Sequence, residues 1–373
     1  MYSKDHLVLI LGAAGIVGIG WCGLVSASES PQLLSKKHVI VYGEKGRFCG
    51  WPANEGAWSW GNEMLVAFIL GYYGDPPDYD PTEHHYDKNR PTELVTARSL
   101  DGGESWQLER PKAFSRSEES REAVRCPGGI DFAHPDFAMR LRRRKFWVSY
   151  DRGRTWSVPY KLSTFGAEGF GARTDYIVNG HSECLFFLTT KQRPICARTV
   201  DGGKTIEFVS WMSPYTKARP IMPSTVRISE TELVTAVRQI PGEDYVSWID
   251  TFVSNDHGRS WKFLGKVADA DKKHWNGNPP SMIRLKDGRL CVTYAYRAVP
   301  WGIRAKLSSD NGRTWSKEIV LRNDGRNWDL GYSRTKQRPD GKIITIYYYS
   351  TKNRPQQFIA ATIWEPGPLA AGN

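Results

Sequence analysis

One short sequence pattern recurs five times along the chain, and its even spacing limits the folds that the chain can adopt. The pattern reads Ser/Thr-x-Asp-x-Gly-x-Ser/Thr-Trp, and the third copy alone has an isoleucine, Ile206, in place of the tryptophan. The aspartates are separated by 50, 50, 55 and 54 residues and are Asp101, Asp151, Asp201, Asp256 and Asp310. A repeat of this length is typical of propellers, in which each blade is a four-stranded sheet. The spacing therefore predicts one all-β propeller for the 373 residues.

The chemistry of the pattern predicts a tight turn between the third and fourth strands of each blade. Each copy follows a β-rich run, such as LVTAR before Ser99. The aspartate carboxylate can accept hydrogen bonds from nearby backbone N–H groups and from the Ser/Thr hydroxyl. The glycine can adopt a positive φ without steric cost, and the tryptophan can pack its ring beneath the turn.

These turns resemble the Asp-box, or BNR repeat, of the sialidase superfamily. The resemblance implies a six-bladed, sialidase-like β-propeller whose Asp-box turns lie on the face away from the active site. Because one fold can host many functions, the turns indicate the scaffold and not the activity.

Six blades can be assigned along the chain, with seven as the alternative. The sixth blade has no copy of the repeat, and we expect the segment from His38 to Gly43 to supply its outer strand. That strand would close the ring and leave no exposed sheet edge. The predicted blades start near Trp58, around Asp131 to Met139, and at Arg173, Ile221, Asn278 and Gly331.

The N-terminus differs in kind from the rest of the chain. Lys4 precedes an apolar run from Leu7 to Ile19, and small residues follow at 26–28, which is the order of a secretory signal peptide. We therefore expect a signal peptide over residues 1–27, a propeller over residues 38–366, and a secreted or periplasmic protein. A retained N-terminal membrane anchor is the alternative, although the apolar run is short for a membrane span.

The formal net charge of +11 favours an acidic partner. The sequence has no helix-turn-helix, zinc-finger or RNA-binding pattern, so an acidic glycan or oligosaccharide is the expected substrate and nucleic acid is not expected. No cysteine or histidine spacing indicates a metal site, no cofactor is expected, and we expect a monomer. Cys184 and Cys196 flank one predicted hairpin and could form a disulfide or remain buried thiols.

Two arginines and a tyrosine fall at the mouth, which is the end of the propeller axis where first strands begin and second strands end. Arg238 ends the second strand of blade four, Arg297 ends that of blade five, and Tyr332 opens blade six. A guanidinium can hold a carboxylate through two parallel hydrogen bonds, so the arginines could form a clamp; alternatively, each could pair with a surface acid. The resemblance to sialidases implies the clamp and a nucleophilic Tyr332.

The sequence departs from the sialidase pattern at three places. Blade one has GAWSWGNE where the family has an Arg-Ile-Pro motif. Pro223 and Ser224 stand where the glutamate that assists the tyrosine is expected. The acid/base aspartate should follow the second strand of blade one, where Asp75, Asp78 and Asp80 are all available. The resemblance therefore leaves both the sugar and the acid/base residue open.

Other polar and aromatic residues are also predicted at the mouth. His134 and Asp136 open blade two, and Asp175 beside Arg173 could be a general acid/base or one half of an ion pair. Trp58 could stack on a sugar ring. The catalytic candidates are Tyr332, Asp175, Asp136 and His134, and the substrate-binding candidates are Arg238, Arg297, Arg173, Tyr176, Trp58 and Asn278.

Three functions are compatible with these residues. The leading hypothesis is a secreted exo-glycosidase of the sialidase superfamily that hydrolyses a terminal acidic sugar from a glycan. The second is a propeller polysaccharide lyase that acts on uronic-acid glycans with a His/Tyr pair. The third is a propeller that binds glycans without catalysis.

Overall fold

Six small antiparallel sheets, arranged as the blades of a propeller, make up most of the regular structure. The computed structural model describes residues 33–74, 83–171, 173–216, 218–241, 246–272 and 277–368. The predicted signal peptide and the predicted acids Asp75, Asp78 and Asp80 lie outside these ranges. Within them, the helices are too short and too polar to cross a membrane.

The first half of the chain contributes β1 and the strands of blades one to three. β1 (Leu33–Tyr42) belongs to the last blade of the ring. Blade one contains β2 (Arg47–Gly50), β3 (Ala57–Trp60), β4 (Glu63–Tyr72), β5 (Glu93–Ser99) and β6 (Gln107–Glu109). Blade two contains β7 (Ala138–Arg142), β8 (Lys145–Ser149) and β9 (Tyr160–Lys161). Blade three contains β10 (Tyr176–Val178), β11 (Cys184–Leu188), β12 (Ile195–Thr199) and β13 (Glu207–Trp211).

Each blade of the second half has four strands. Blade four contains β14 (Arg219–Arg227), β15 (Leu233–Ile240), β16 (Trp248–Ser254) and β17 (Lys262–Asp269). Blade five contains β18 (Ser281–Arg284), β19 (Leu290–Tyr296), β20 (Gly302–Ser308) and β21 (Ile319–Arg322). Blade six contains β22 (Gly331–Gln337), β23 (Ile343–Tyr349), β24 (Phe358–Pro366) and β1.

The ring closes between the two ends of the described chain. β1 pairs antiparallel with β24, from Leu33 opposite Pro366 to Tyr42 opposite Ile359, and forms the outer strand of blade six. This confirms the prediction of six blades closed by the segment around His38. Six hydrophobic clusters of the described residues each lie between neighbouring blades, so every blade is packed on both faces.

Blade one begins earlier than predicted because its first strand is interrupted. β2 and β3 both pair with β4, and a short helix, α1 (Pro52–Glu55), separates them. The predicted start near Trp58 is therefore wrong, and the inner strand starts at Arg47. The interruption begins at Trp51, whose φ of 58° lies in the left-handed region. The predicted starts of blades three to six lie within three residues of the observed strands.

Blade two has three strands, and residues 131–137, the first part of the segment predicted to open it, form no strand. β7 runs towards the mouth. Met139, near its start, lies beside Trp58, and Arg142, at its end, lies beside Glu55. Glu55 precedes Trp58 in a segment that starts at the mouth, so Arg142 is nearer the mouth than Met139 is. In the other blades this direction belongs to the second strand. Residues 131–137 therefore lie at the opposite end of the axis from the mouth, and the prediction that they open the blade there is wrong.

The five repeat turns join two strands of the same blade as predicted, and their geometry follows from two adjacent left-handed residues. The repeat glycines have φ between 78° and 93°, and the residue before each glycine has φ between 57° and 76°. In the fourth turn, Asp256 Oδ1 accepts hydrogen bonds from Ser254 Oγ at 2.8 Å and from Ser260 N at 2.9 Å. Asp256 Oδ2 accepts one from Ser260 Oγ at 2.5 Å. Burial acts to raise the pKa of Asp256, but the hydrogen bonds from Ser260 outweigh it and lower this pKa.

We expect the change Asp256→Ala to lower the free energy of unfolding by ~1–3 kcal/mol, because the hydrogen-bond donors of a tight turn lose their acceptor. Denaturant unfolding measures the change. Asp340→Ala is the control, since Asp340 accepts from one backbone N–H, that of Lys342, and makes an exposed ion pair with Arg338, contacts that should matter less. Ligand affinity at the mouth should be unchanged in the folded fraction. A loss of affinity at unchanged stability would show that the turns contribute to a ligand site.

Candidate active site

Three buried arginines from consecutive blades surround Tyr332 at the mouth. Arg173 precedes β10 of blade three, Arg238 lies near the end of β15 of blade four, and Arg297 follows β19 of blade five. Their exposed fractions are 3%, 2% and 0%. Tyr332 lies at the start of β22 in blade six and is half-buried. The mouth therefore concentrates buried positive charge next to the phenol of Tyr332.

The three guanidinium groups are held in different ways. Arg297 donates from Nη2 to the carbonyl oxygen of Leu330 at 3.1 Å and to Tyr348 OH at 3.0 Å, and its Cζ lies 5.6 Å from the centre of the Tyr332 ring. Arg238 lies close enough to Tyr332 for the two side chains to interact electrostatically, and its Nη1 lies 3.9 Å from Met222 Sδ. Arg173 donates from Nη2 to the carbonyl oxygen of Pro280 at 2.7 Å.

Arg173 is the least satisfied of these cations. Its Nε and Nη1 atoms are buried and have no hydrogen-bond partner in the part of the chain that the structure describes. Burial, and then the nearby charge of Arg334, lowers the pKa of Arg173 to about 9. A buried cation with unused donors is costly unless an anion completes its shell. The arrangement therefore favours a bound anion at Arg173.

Tyr332 is held in an unusual backbone conformation. Its φ is 50°, and that of the preceding Gly331 is 108°. The Tyr332 N–H donates to Asn278 Oδ1 at 2.6 Å, and Asn278 Nδ2 donates to the carbonyl oxygen of Leu330 at 2.9 Å. Blade four has a similar kink, with Met222 at φ 56°. A left-handed aromatic residue costs free energy, and such strain is found at functional sites where the surroundings impose it.

Asp175 lies two residues after Arg173, where the mouth continues into the channel along the propeller axis, and it contributes a carboxyl group to that channel. Its Oδ2 accepts from the backbone N–H of Thr225 at 3.2 Å, and it makes no salt bridge with the residues that the structure describes. Burial raises its pKa to about 6, although the charges of Arg173 and Arg334 oppose the shift. Thr225 directly follows Ser224, one of the two residues that stand where the sialidase pattern has a glutamate. A carboxylate from blade three therefore reaches the part of blade four where that glutamate is expected.

Two further cations line the same channel below the mouth. Arg334 donates from Nη2 to the carbonyl oxygens of Ala53 at 2.7 Å and Thr174 at 2.6 Å, which links blades six, one and three across the axis. Burial lowers the pKa of Arg334 to about 10. Burial, and then the charge of Arg334, lowers the pKa of Lys336 to about 8. Neither residue was predicted, because both lie within a strand whose sequence pattern does not distinguish the channel from the sheet.

Two predicted catalytic residues lie away from the mouth. Asp136 Oδ1 accepts from Arg152 Nε at 2.6 Å, and Arg152 belongs to the second repeat turn. The His134 ring packs edge-on against Tyr150 at 5.2 Å. The prediction that His134 and Asp136 line the mouth is wrong, because the strand expected to carry them there does not form and they lie on the turn face.

Three predicted substrate-binding residues have structural contacts. Trp58 is buried and donates from Nε1 to the carbonyl oxygen of Met139 at 3.3 Å. Tyr176 OH accepts from the N–H of the same Met139 at 3.3 Å, so both side chains bind the inner strand of blade two. Asn278 has no exposed surface, and both ends of its amide bond the backbone around Tyr332. These residues hold the wall and the kink in place, below the surface of the mouth.

A second polar cluster lies at the mouth, and the sequence patterns did not predict it. Asp329 is fully buried three residues before Tyr332, and it accepts hydrogen bonds from Tyr348 OH at 2.7 Å and Gln357 Nε2 at 3.2 Å. The loop that follows β4 brings His84 and His85 against the same carboxylate. The one sequence signal was the pair of adjacent histidines in a long loop of blade one.

A six-bladed ring closed by its first and last strands, with repeat turns at one end and a polar mouth at the other, is a sialidase-like β-propeller. The chain belongs to the BNR repeat-like domain family, whose model matches residues 133–345, more than half of its length. No curated protein sequence matches the chain.

Solved structures share the fold at low sequence identity. A protein of unknown function from Dyadobacter fermentans has a TM-score of 0.66 and 19% identity, and the match covers 90% of this chain and 99% of that one. The NanB sialidase from Streptococcus pneumoniae has a TM-score of 0.55 and 11% identity, covering 90% of this chain and 70% of that one. The GH93 α-L-arabinofuranosidase of Fusarium graminearum has a TM-score of 0.54 and 11% identity, covering 89% and 97%. These likenesses concern the fold.

We expect Gly331→Ala to destabilise the protein by about 2–5 kcal/mol, combining the cost of a left-handed alanine with that of overpacking. An added Cβ would lie 2.3 Å from the Cβ of Ala295 and 2.4 Å from Asn278 Oδ1. Gly288→Ala is the matched control, because Gly288 has φ +89° but nothing lies within 4 Å of an added Cβ. Thermal and denaturant unfolding compare the two variants. Equal destabilisation would show that the contacts around Gly331 do not hold the kink at Tyr332.

Proposed function

We propose that the protein is a glycoside hydrolase that removes a terminal acidic sugar from a glycan. The observation that carries the proposal is the convergence of Arg173, Arg238 and Arg297 on Tyr332, with Asp175 in the same channel. Family membership, and the presence of a sialidase and an arabinofuranosidase among the similar folds, support a glycosidase. A secreted or periplasmic monomer is part of the same proposal.

The arginines would hold the carboxylate of the sugar. A planar guanidinium matches a carboxylate through two charge-assisted hydrogen bonds, and Arg173 can supply such a pair from its unused Nε or Nη1 together with the remaining N–H of Nη2. Arg297 already donates to a backbone carbonyl and to Tyr348, so it would contribute charge and hold Tyr332 in position. The sequence assigned the clamp to Arg238 and Arg297, and we add Arg173 as the principal hydrogen-bond donor.

Tyr332 would attack the anomeric carbon as the nucleophile. A tyrosine must give up its proton to do so, and a neighbouring base makes this possible. Asp175 is the described channel carboxyl without a salt bridge, and it would take that proton. The glycosidic bond then breaks as the bond from Tyr332 oxygen to the sugar forms, and a general acid at the mouth gives the leaving oxygen a proton. Water later displaces Tyr332 and returns a proton to that acid, while Tyr332 recovers its own proton from Asp175, so the configuration of the sugar is retained.

The activity is tested by incubating the protein with sialosides and with uronic-acid oligosaccharides, and by identifying the products by mass. We expect release of a terminal acidic monosaccharide, and loss of that release in Tyr332→Phe, which removes one oxygen and should still fold. An unsaturated product that absorbs in the ultraviolet would indicate a lyase instead. Binding of a glycan without any product would indicate a glycan-binding propeller.

The clamp predicts a strong effect of Arg173→Lys, which keeps the charge but removes the planar pair of donors. We expect kcat/KM to fall by ~10–100-fold, equivalent to roughly 1.4–2.8 kcal/mol. The same variant should behave like the unmodified protein on a substrate whose carboxylate has been reduced to an alcohol. Arg259→Lys, an exposed change on the turn face, is the control and should have no effect. Equal losses on both substrates would contradict the clamp.

The pKa of Asp175 predicts the acid limb of the pH dependence. Burial raises this pKa to about 6, and a base must be ionised to accept a proton. We therefore expect kcat/KM to fall as the pH drops through about 6 and to be independent of Asp175 protonation well above it. Asp175→Asn should lose activity by orders of magnitude across this range while its melting temperature stays near that of the parent. An unchanged acid limb in Asp175→Asn would exclude the assignment.

A further inference from the structure

The loop of blade one places two histidines on one buried carboxylate at the mouth. His84 Nδ1 lies 2.6 Å from Asp329 Oδ1, and His85 Nδ1 lies 3.3 Å from Asp329 Oδ2. The backbone N–H of His85 also donates to Asp329 Oδ2 at 2.9 Å. The carboxylate thus ties the loop that follows β4 to the segment that leads into β22.

The two histidines differ in what their second ring nitrogen can do. His85 is buried, and its Nε2 lies 3.2 Å from Asn327 Nδ2, so both ring nitrogens have partners. The His84 side chain is 22% exposed, and its Nε2 has no partner in the ranges that the structure describes. A histidine whose Nδ1 is held by a carboxylate and whose Nε2 is accessible has the arrangement of a general acid/base.

Asp329 is suited to hold His84 in one orientation. Its burial acts to raise the pKa of the carboxyl, but the charge and hydrogen bond of His84, with the hydrogen bonds of His85, keep this pKa well below its usual range. The carboxylate also accepts from Tyr348 OH and Gln357 Nε2. With its oxygens bonded from four side chains and a backbone N–H, it holds Nδ1 of His84 against the carboxylate and leaves Nε2 as the ring nitrogen that can act on a ligand.

Aromatic side chains connect His84 to Tyr332. The His84 ring lies 4.9 Å from Trp51, edge-on, and 5.3 Å from Trp328. Trp51 lies 6.3 Å from Tyr348, and Tyr348 lies 6.1 Å from Tyr332. The Arg297 guanidinium lies 5.1 Å from Trp328 and 5.6 Å from Tyr332. His84 and Tyr332 therefore pack against one aromatic cluster, in which Trp328 and Tyr348 are fully buried and Trp51 is partly exposed and available to stack on a sugar ring.

We propose that His84 is the general acid/base of the glycosidase, and that Asp329 is its positioning residue. The proposal rests on the proposed function. His84 donates its Nε2 proton to the glycosidic oxygen as that bond breaks and Tyr332 oxygen bonds the anomeric carbon, while the tyrosine proton passes to Asp175. His84 then takes a proton from the water that displaces Tyr332, and Tyr332 recovers its own from Asp175. The net reaction adds one water across the glycosidic bond.

The experiment compares two aryl or alkyl glycosides of the sugar released in the activity screen. One has an alkyl leaving group, which must be protonated, and the other has a dinitrophenyl group, which leaves without a proton. The variants are His84→Asn and Asp329→Asn. His181→Asn is the matched control, because His181 Nδ1 also lies 2.8 Å from a carboxylate oxygen, that of Asp131, but is exposed on the turn face.

For His84→Asn we expect a ~10²–10⁴-fold loss of kcat/KM on the alkyl glycoside and less than about a tenfold loss on the dinitrophenyl glycoside. Added azide should restore turnover of the dinitrophenyl substrate and yield a glycosyl azide of retained configuration, since azide needs no general base. Asp329→Asn should show the same selectivity with a smaller loss. His181→Asn should match the parent protein on both substrates.

Three results would overturn the proposal. The first is an equal loss on both substrates in His84→Asn, with a lower melting temperature, which is the signature of a structural role. The second is unchanged activity of His84→Asn. The third is the selective pattern in Asp75→Asn, Asp78→Asn or Asp80→Asn and not in His84→Asn. Absence of glycoside hydrolysis by the unmodified protein would instead overturn the proposed function, and the acid/base assignment with it.

Discussion

The antiparallel pairing of β1 with β24 is the constraint on which the rest of the molecule depends. The pairing joins the first described strand to the last, so each blade has a neighbour on both sides and the ring is closed. Closure also assembles the site. Tyr332 and Asp329 belong to the last blade or lead into it, whereas Trp51 and His84 belong to the first. Without closure, the contact between Asp329 and His84 could not form, and neither could the aromatic contacts that connect His84 to Tyr332.

The mouth is built from groups that the fold holds at a cost. Arg173, Arg238 and Arg297 are buried cations, and Tyr332 has a strained backbone. Such features persist only where surrounding contacts impose them, as the two hydrogen bonds of the Asn278 amide do here. The repeat turns lie at the other end of the axis, where hydrogen bonds satisfy their aspartates. Stability and charge are thus separated along the axis: the turns stabilise the blades, and the mouth concentrates positive charge that a bound anion would balance.

Much of the fold could be predicted, because it depends on contacts between residues that are close together in the sequence. Each repeat turn needs a glycine at positive φ and an aspartate acceptor, and the apolar segment around His38 supplies the outer strand of the blade that has no repeat. The positions of Arg238 and Tyr332 followed from counting strands. The same strand count failed in blade two. Its expected inner strand does not form, so the residues before β7 lie at the opposite end of the axis from the one predicted. His134 and Asp136 were misplaced for that reason.

The long-range contacts of the site could not be predicted in the same way. Asp329, Tyr348 and His84 come together only after the ring closes, and the run that contains Tyr348 is indistinguishable from an ordinary buried strand. The role of Asp175 depends on reaching Thr225 in the next blade, which no single-sequence pattern encodes.

The measurement that tests the central claim most directly is covalent trapping with a fluorinated glycosyl fluoride of the hydrolysed acidic sugar, read by peptide mass. Nucleophilic catalysis at the closing blade predicts a mass increase of one fluorinated sugar on the peptide that contains Tyr332. An adduct on another residue, or hydrolysis with inverted configuration and no adduct, would contradict it.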